Sequence, residues 1–190
     1  MRMRGMVASI LVLAVAGLAR ADVRTLVFTP DPADLNDLDH HSVYEWGIDV
    51  ALEPDDVILA AELRFDNIAN WNDDENVLYT HLLDWAAAGV ADVYYDDQSS
   101  EDYFDTLYNG VQTSLVTYLN LPSTGQDLVY TFSDDEIAAF NDYLTDQRVG
   151  IGFDPDCHFY NDGISLVVTV PEPATAALVG LGLLAAWRRR

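Results

Sequence analysis

The chain has 190 residues, with 32 Asp and Glu against nine Arg and no Lys, a formal net charge of −23. Over residues 22–170 the imbalance is steeper, 31 carboxylates against three guanidiniums, or −28, and a polyanion of that density excludes nucleic acid and anionic lipid as partners of the bare surface. Half of the chain is apolar and 11% aromatic, which excludes a disordered acidic tail and leaves salt-adapted solubility or clustered divalent-cation binding as reasons for the acid.

Arg2 and Arg4, an apolar run from Met6 to Leu18, and the small-x-small site Ala19-Arg20-Ala21 have the layout of a secretory signal peptide. The run, about 13 residues, is roughly 20 Å long as a helix, against roughly 30 Å of bilayer core, so it reads as a removed leader and not an anchor. Residues 1–21 are therefore set aside, and residues 22–170 are expected to form one domain. Asp outnumbers Glu 25 to seven, a skew that suits the loops of a β-rich domain. Cys157 has no partner for an internal disulfide and is expected to be a small buried residue.

Along this body, Thr25 to Phe28 reads as a short strand. Tyr44 to Leu52 and Val57 to Phe65 each alternate apolar with polar residues, the mark of a half-buried strand, and the turn Glu53-Pro54-Asp55-Asp56 between them predicts neighbouring antiparallel strands. Asn76–Leu83, Ser114–Leu119, Leu128–Phe132, Gly150–Phe153 and Ile164–Val170 complete the strands. Ser133 followed by Glu136 is a capping box, and it predicts a short helix with Ile137, Phe140, Tyr143 and Leu144 on one face, stopping near Gln147. The polar stretch from Asp96 to Asp105 reads as a loop. Strands at this spacing without interleaved helices predict a mainly β fold, an antiparallel β-sandwich with a jelly-roll order among its options and one short helix across an end.

Chemistry-bearing residues are few. The segment from Asp154 to Gly163 gathers Asp154, Asp156, Asn161 and Asp162 between two apolar strands. Short-spaced oxygen ligands are what Ca²⁺ requires, but the spacing is not that of an EF-hand, and an Asp/Asn-rich turn is the preferred explanation. No cofactor, or calcium alone, is the expectation. Adjacent Cys157 and His158 offer no zinc-ligand spacing. Trp71, beside the acidic turn Asn72–Asn76, and Tyr79 are aromatic candidates for stacking on sugar rings. His40, His41, His81 and His158 come without a nucleophile elbow, and nothing around Cys157 marks a nucleophile.

At the other end, Ile164 to Val170 runs into Pro171-Glu172-Pro173, an uncharged apolar stretch from Ala174 to Trp187, and Arg188, Arg189 and Arg190. The prolines end the strand, the small residues suit a close-packed membrane helix, and the arginines hold its end on the cytoplasmic side. In that order and place, residues 171–190 resemble the PEP-CTERM sorting signal. The resemblance implies recognition by an exosortase, transient inner-membrane anchoring through the C-terminal hydrophobic helix, export to the cell envelope or beyond, and a bacterium that makes extracellular polysaccharide. It names an address. For the body it leaves a non-enzymatic binding or structural β-sandwich as the reading, with a secreted carbohydrate-active enzyme and a calcium-dependent adhesin as alternatives.

Overall fold

The computed structural model describes residues 23–53, 56–96 and 99–172. The leader (1–21) and the tail from Pro173, including its hydrophobic helix and Arg188–Arg190, lie outside the described residues. Ten strands are present: β1 (Val23–Phe28), β2 (Ser42–Asp49), β3 (Ala60–Asn70), β4 (Val77–Leu83), β5 (Gly89–Tyr95), β6 (Gln112–Leu119), β7 (Gln126–Thr131), β8 (Arg148–Pro155), β9 (Phe159–Tyr160) and β10 (Gly163–Pro171). Two helices, α1 (Tyr103–Thr106) and α2 (Asp134–Tyr143), and 3-10 turns at Leu35–Leu38 and Leu144–Asp146 accompany them. Among the described residues no helix is long and apolar enough to cross a membrane.

The strands form two antiparallel sheets, β1-β10-β3-β7, with β9 on the far end of β3, and β5-β2-β8-β4-β6. Without the short β9 and the extra edge strand β5, the orders 1-10-3-7 and 2-8-4-6 are those of an eight-stranded jelly roll. Alternation places the core. Leu63, Phe65, Ile164, Leu166, Val168 and Val170 face inward from the first sheet. Tyr44, Trp46, Ile48, Leu78, Leu82, Ile151 and Phe153 meet them from the second. Phe65 packs edge-on against Phe153 across the gap, at 6.1 Å between ring centres. Cys157 is buried in this core, as expected.

The capping box forms as read. The Ser133 amide donates to Glu136 and the Glu136 amide to the Ser133 hydroxyl, and Phe140 is the residue α2 buries completely. The helix ends at Tyr143, and Gln147 closes the following turn in a left-handed conformation.

Two expectations require correction. The runs around Tyr44 and Leu63 are not paired neighbours: β2 joins β8 and β5, whereas β3 joins β10 and β7 in the opposite sheet. β2 and β3, consecutive in sequence, thus lie in different sheets, as consecutive strands do in a jelly roll. The stretch from Asp96 to Asp105 is not simply a solvated loop either. It leads into α1, whose Phe104 is buried against Val43 and Leu83 on the outer face of the second sheet. A β-carbon on Gly152 would come within 2.4 Å of the Phe104 ring, so the absence of a side chain at Gly152 lets α1 settle onto β8.

Candidate functional site

Three of the four histidines converge at one end of the sandwich. Asp39, His40 and His41 precede β2, and they follow a left-handed turn in which Leu35, Asn36, Asp37 and Leu38 all have positive φ. Such residues cost roughly 1–2 kcal/mol each, and the turn is held by the complete burial of Leu35 and Leu38. His158 lies just before β9. The Trp71 amide donates to the His158 carbonyl (3.0 Å), and the Asn161 side-chain amide donates to the Asp34 carbonyl (2.9 Å), so the two loops are tied together.

Within this rim the His40 and His41 rings are 4.0 Å apart, and His158 and Trp71 lie 6.2 and 6.5 Å from His40. Tyr160 stands edge-on to His158 at 4.7 Å, and Tyr95 stacks on His41 at 5.8 Å. Asp39 is the carboxylate at its centre. Its Oδ1 accepts from the His41 amide and ring Nδ1, both at 2.9 Å, and its Oδ2 lies 3.7 Å from His158 Nδ1. Partial burial raises the Asp39 pKa, but the hydrogen bonds from His41 and the charge of His40 and His158 overcome it and hold the carboxyl below its usual value. Trp71 and Tyr160 are each 51% exposed, so the rim presents two large rings to solvent.

The fourth histidine is elsewhere and enclosed. His81, on β4, is fully buried and donates from Nε2 to Asp102 (2.9 Å) and from Nδ1 to Gln112 Oε1 (2.8 Å). Gln112 donates from Nε2 to Asp105, which fixes the amide so that its oxygen faces the ring. An acceptor at each nitrogen favours the doubly protonated ring. Burial lowers its pKa, but Asp102 and Gln112 raise it by more, leaving it above the usual value. Asp102 also caps α1, accepting from the Phe104 and Asp105 amides.

The loop residues singled out from the sequence do not close on one point. Asp154 is buried on β8 beneath α1, where its Oδ2 accepts from the Tyr103 amide (2.7 Å), and burial pushes its pKa up to about 7. Asp156 accepts from the Val77 amide. Asn161 is buried, its side-chain amide donating to the Asp34 carbonyl while its Oδ1 has no hydrogen-bond partner. Asp162 is exposed, accepts from Asn67 (3.0 Å) and lines a groove of the first sheet with Asp66 and Asp127. Among the described residues, the groups of acid, imidazole or thiol close enough to share an ion are Asp39, His40 and His158, and His81, Asp102 and Asp105. Trp71 falls at the rim. Tyr79 does not share its ring contacts: its hydroxyl donates to the Ser100 carbonyl (3.0 Å). The rim itself was missed because its residues come from loops far apart in the sequence. The signal in hand was the adjacent pair His40-His41 after an acid.

Residues 169–190 match the model of the PEP-CTERM protein-sorting motif. Within that segment the described part agrees with the reading of the tail: β10 ends at Pro171, paired with Val23, and Glu172 is exposed. No curated protein matches the chain. A solved structure of latent aurone synthase (polyphenol oxidase) from a natural source superposes with TM-score 0.34 and 8% identity, covering 80% of this chain and 24% of that one. The chain thus spans about a quarter of that structure, and so loose a superposition assigns no chemistry. Residues 169–190 thus carry the PEP-CTERM sorting motif, which implies an exported protein sorted by exosortase and gives the body an address and no activity.

Proposed function

We propose that the body is a non-enzymatic binding module whose ligand is extracellular polysaccharide and whose contact surface is the rim around Trp71 and Tyr160. The tail would hold the chain in the inner membrane until exosortase processing, after which the body works at the cell surface or in the surrounding matrix. The observation that carries the binding reading is the pair of half-exposed rings on adjoining loops, Trp71 after β3 and Tyr160 on β9, backed by imidazoles at fixed distances. Rings so placed offer apolar faces to the C–H faces of sugars, while imidazole and carboxylate groups beside them can take hydroxyl hydrogen bonds. The acidic surface favours neutral or amino-sugar polymers over anionic ones. The hydrolase alternative lacks support from the carboxyl most raised in pKa, since Asp154 lies under α1 and not in an open cleft.

Affinity electrophoresis through gels containing neutral polysaccharides tests this reading. Affinity should fall about five- to 150-fold in Trp71→Ala and Tyr160→Ala, taking ring stacking on sugar to be worth about as much as stacking on a nucleobase, about 1–3 kcal/mol per ring. Tyr79→Phe should migrate as the wild type. Equal retardation of all four proteins would remove the rim as the binding surface.

A further inference from the structure

The geometry points to a Zn²⁺ site formed by Asp39, His40 and His158, independent of the sugar reading. Two imidazoles and one carboxylate are brought together from the loop before β2 and the loop before β9, with one ligand atom from each within 4.8 Å of the others. Asp39 Oδ2 and His158 Nδ1 stand 3.7 Å apart, too far for a hydrogen bond. That gap is close to the edge of a tetrahedral site, since arms of about 2.0 Å put two ligands about 3.3 Å apart. A small rotation of partly exposed side chains closes the difference. The His158 and Asp39 side chains are 21% and 45% exposed, so the ion would have a route in and a solvent-facing fourth position.

The surroundings supply what a zinc ligand set requires beyond its donors. The other oxygen of Asp39 is held by the His41 amide and ring, which orients the carboxylate and leaves Oδ2 toward His158. The strongly negative body concentrates cations at its surface. Imidazole donors select a transition ion over Ca²⁺, which takes oxygen ligands, so this site, although His158 lies between Asp154 and Gly163, uses none of the oxygen donors Asp154, Asp156, Asn161 and Asp162 considered for calcium. The His81 group is a poorer candidate, because both of its ring nitrogens are already engaged inside the fold.

Isothermal titration of Zn²⁺ into the metal-free full-length protein tests the site, with Co²⁺ substitution read by its visible absorption. One ion per chain is expected, with no competition from millimolar Ca²⁺. His40→Ala and His158→Ala should each lose the binding, and His158→Gln, which keeps a polar side chain of similar reach, should lose it too. His41→Ala should weaken it about 10–100-fold, the usual effect of removing a group that orients a ligand. Circular dichroism and melting curves confirm that each variant is folded. Trp71→Ala should keep full zinc affinity even as it loses polysaccharide retardation, so the two readings fail separately. Unchanged Zn²⁺ affinity in folded His40→Ala and His158→Ala, absence of binding in the wild type, or displacement by Ca²⁺ would each overturn the assignment.

Discussion

Asp154 and His81 are both buried and interact electrostatically, and both hold protons more tightly than the unfolded chain does. For Asp154 the unfolded pKa is 3.8 and the folded one about 7, so its stabilising contribution is complete below 3.8 and is lost as pH rises through about 7. For His81 the unfolded value is 6.5 and the folded one higher, so its contribution is complete below 6.5 and fades as pH climbs past the folded value. Both push the same way: alkalinisation weakens the fold. Asp96 and Asp102 add repulsion once Asp154 ionises. Asp154→Asn keeps an oxygen for the Tyr103 amide and removes the titration. Its melting temperature should depend less on pH between 4 and 8 than that of the wild type and exceed it at pH 8. Parallel curves for the two proteins would show that Asp154 is not the titrating group. The sequence offers Asp154 as part of an Asp/Asn-rich turn or as a cation ligand. Alternation does send it away from Phe153, but the face it reaches is roofed by α1, and single-strand periodicity cannot see a roof that comes from another part of the chain.

The packing of α1 on the second sheet rests on Phe104 against Gly152. Phe104→Ala should cost about 3–5 kcal/mol, the usual range for a buried Phe, and should open residues 96–108 to limited proteolysis. Gly152→Ala should also destabilise, since its new methyl would strike the ring. Added to Phe104→Ala it should cost far less, and a double-mutant cycle by urea denaturation measures that coupling. Strictly additive losses would mean that the two residues do not meet. Long, strongly alternating strands such as β3 and β10 were legible, and so was α2 through its capping box. β5 was not: it is mostly exposed along its length, so no buried alternation marks it. α1 is four residues long, too short for periodicity, and is held by Phe104 and the Asp102 cap. The pairing of β2 was misjudged because a turn sequence between two alternating runs reads the same whether the chain folds back as a hairpin or steps to the other sheet. The histidine rim was illegible for a related reason, since proximity between His40 and His158 exists only once β9 is laid along β3.

For the protein as a whole, charge and address make the predictions. A body at −28 repels itself, and ions within about 10 Å at 0.1 M screen that repulsion, so the melting temperature should rise with NaCl. If it stays flat in NaCl, the carboxylates are already compensated within the fold. In a host with an exosortase, mass spectrometry of surface material should find a chain that starts at Asp22 and lacks Arg188–Arg190. A full-length cytoplasmic product that keeps Met1 would contradict the export reading. The placement of ligand binding at the rim is the claim on which the proposed function depends, and the chain contains its own reporters, with three histidines at the rim and His81 buried elsewhere. Histidine ring NMR during titration with neutral and amino-sugar oligosaccharides reads both locations at once. Shifts at His40, His41 and His158 with His81 unmoved are the predicted result, and movement of His81 alone, or of no histidine at saturating sugar, would contradict it.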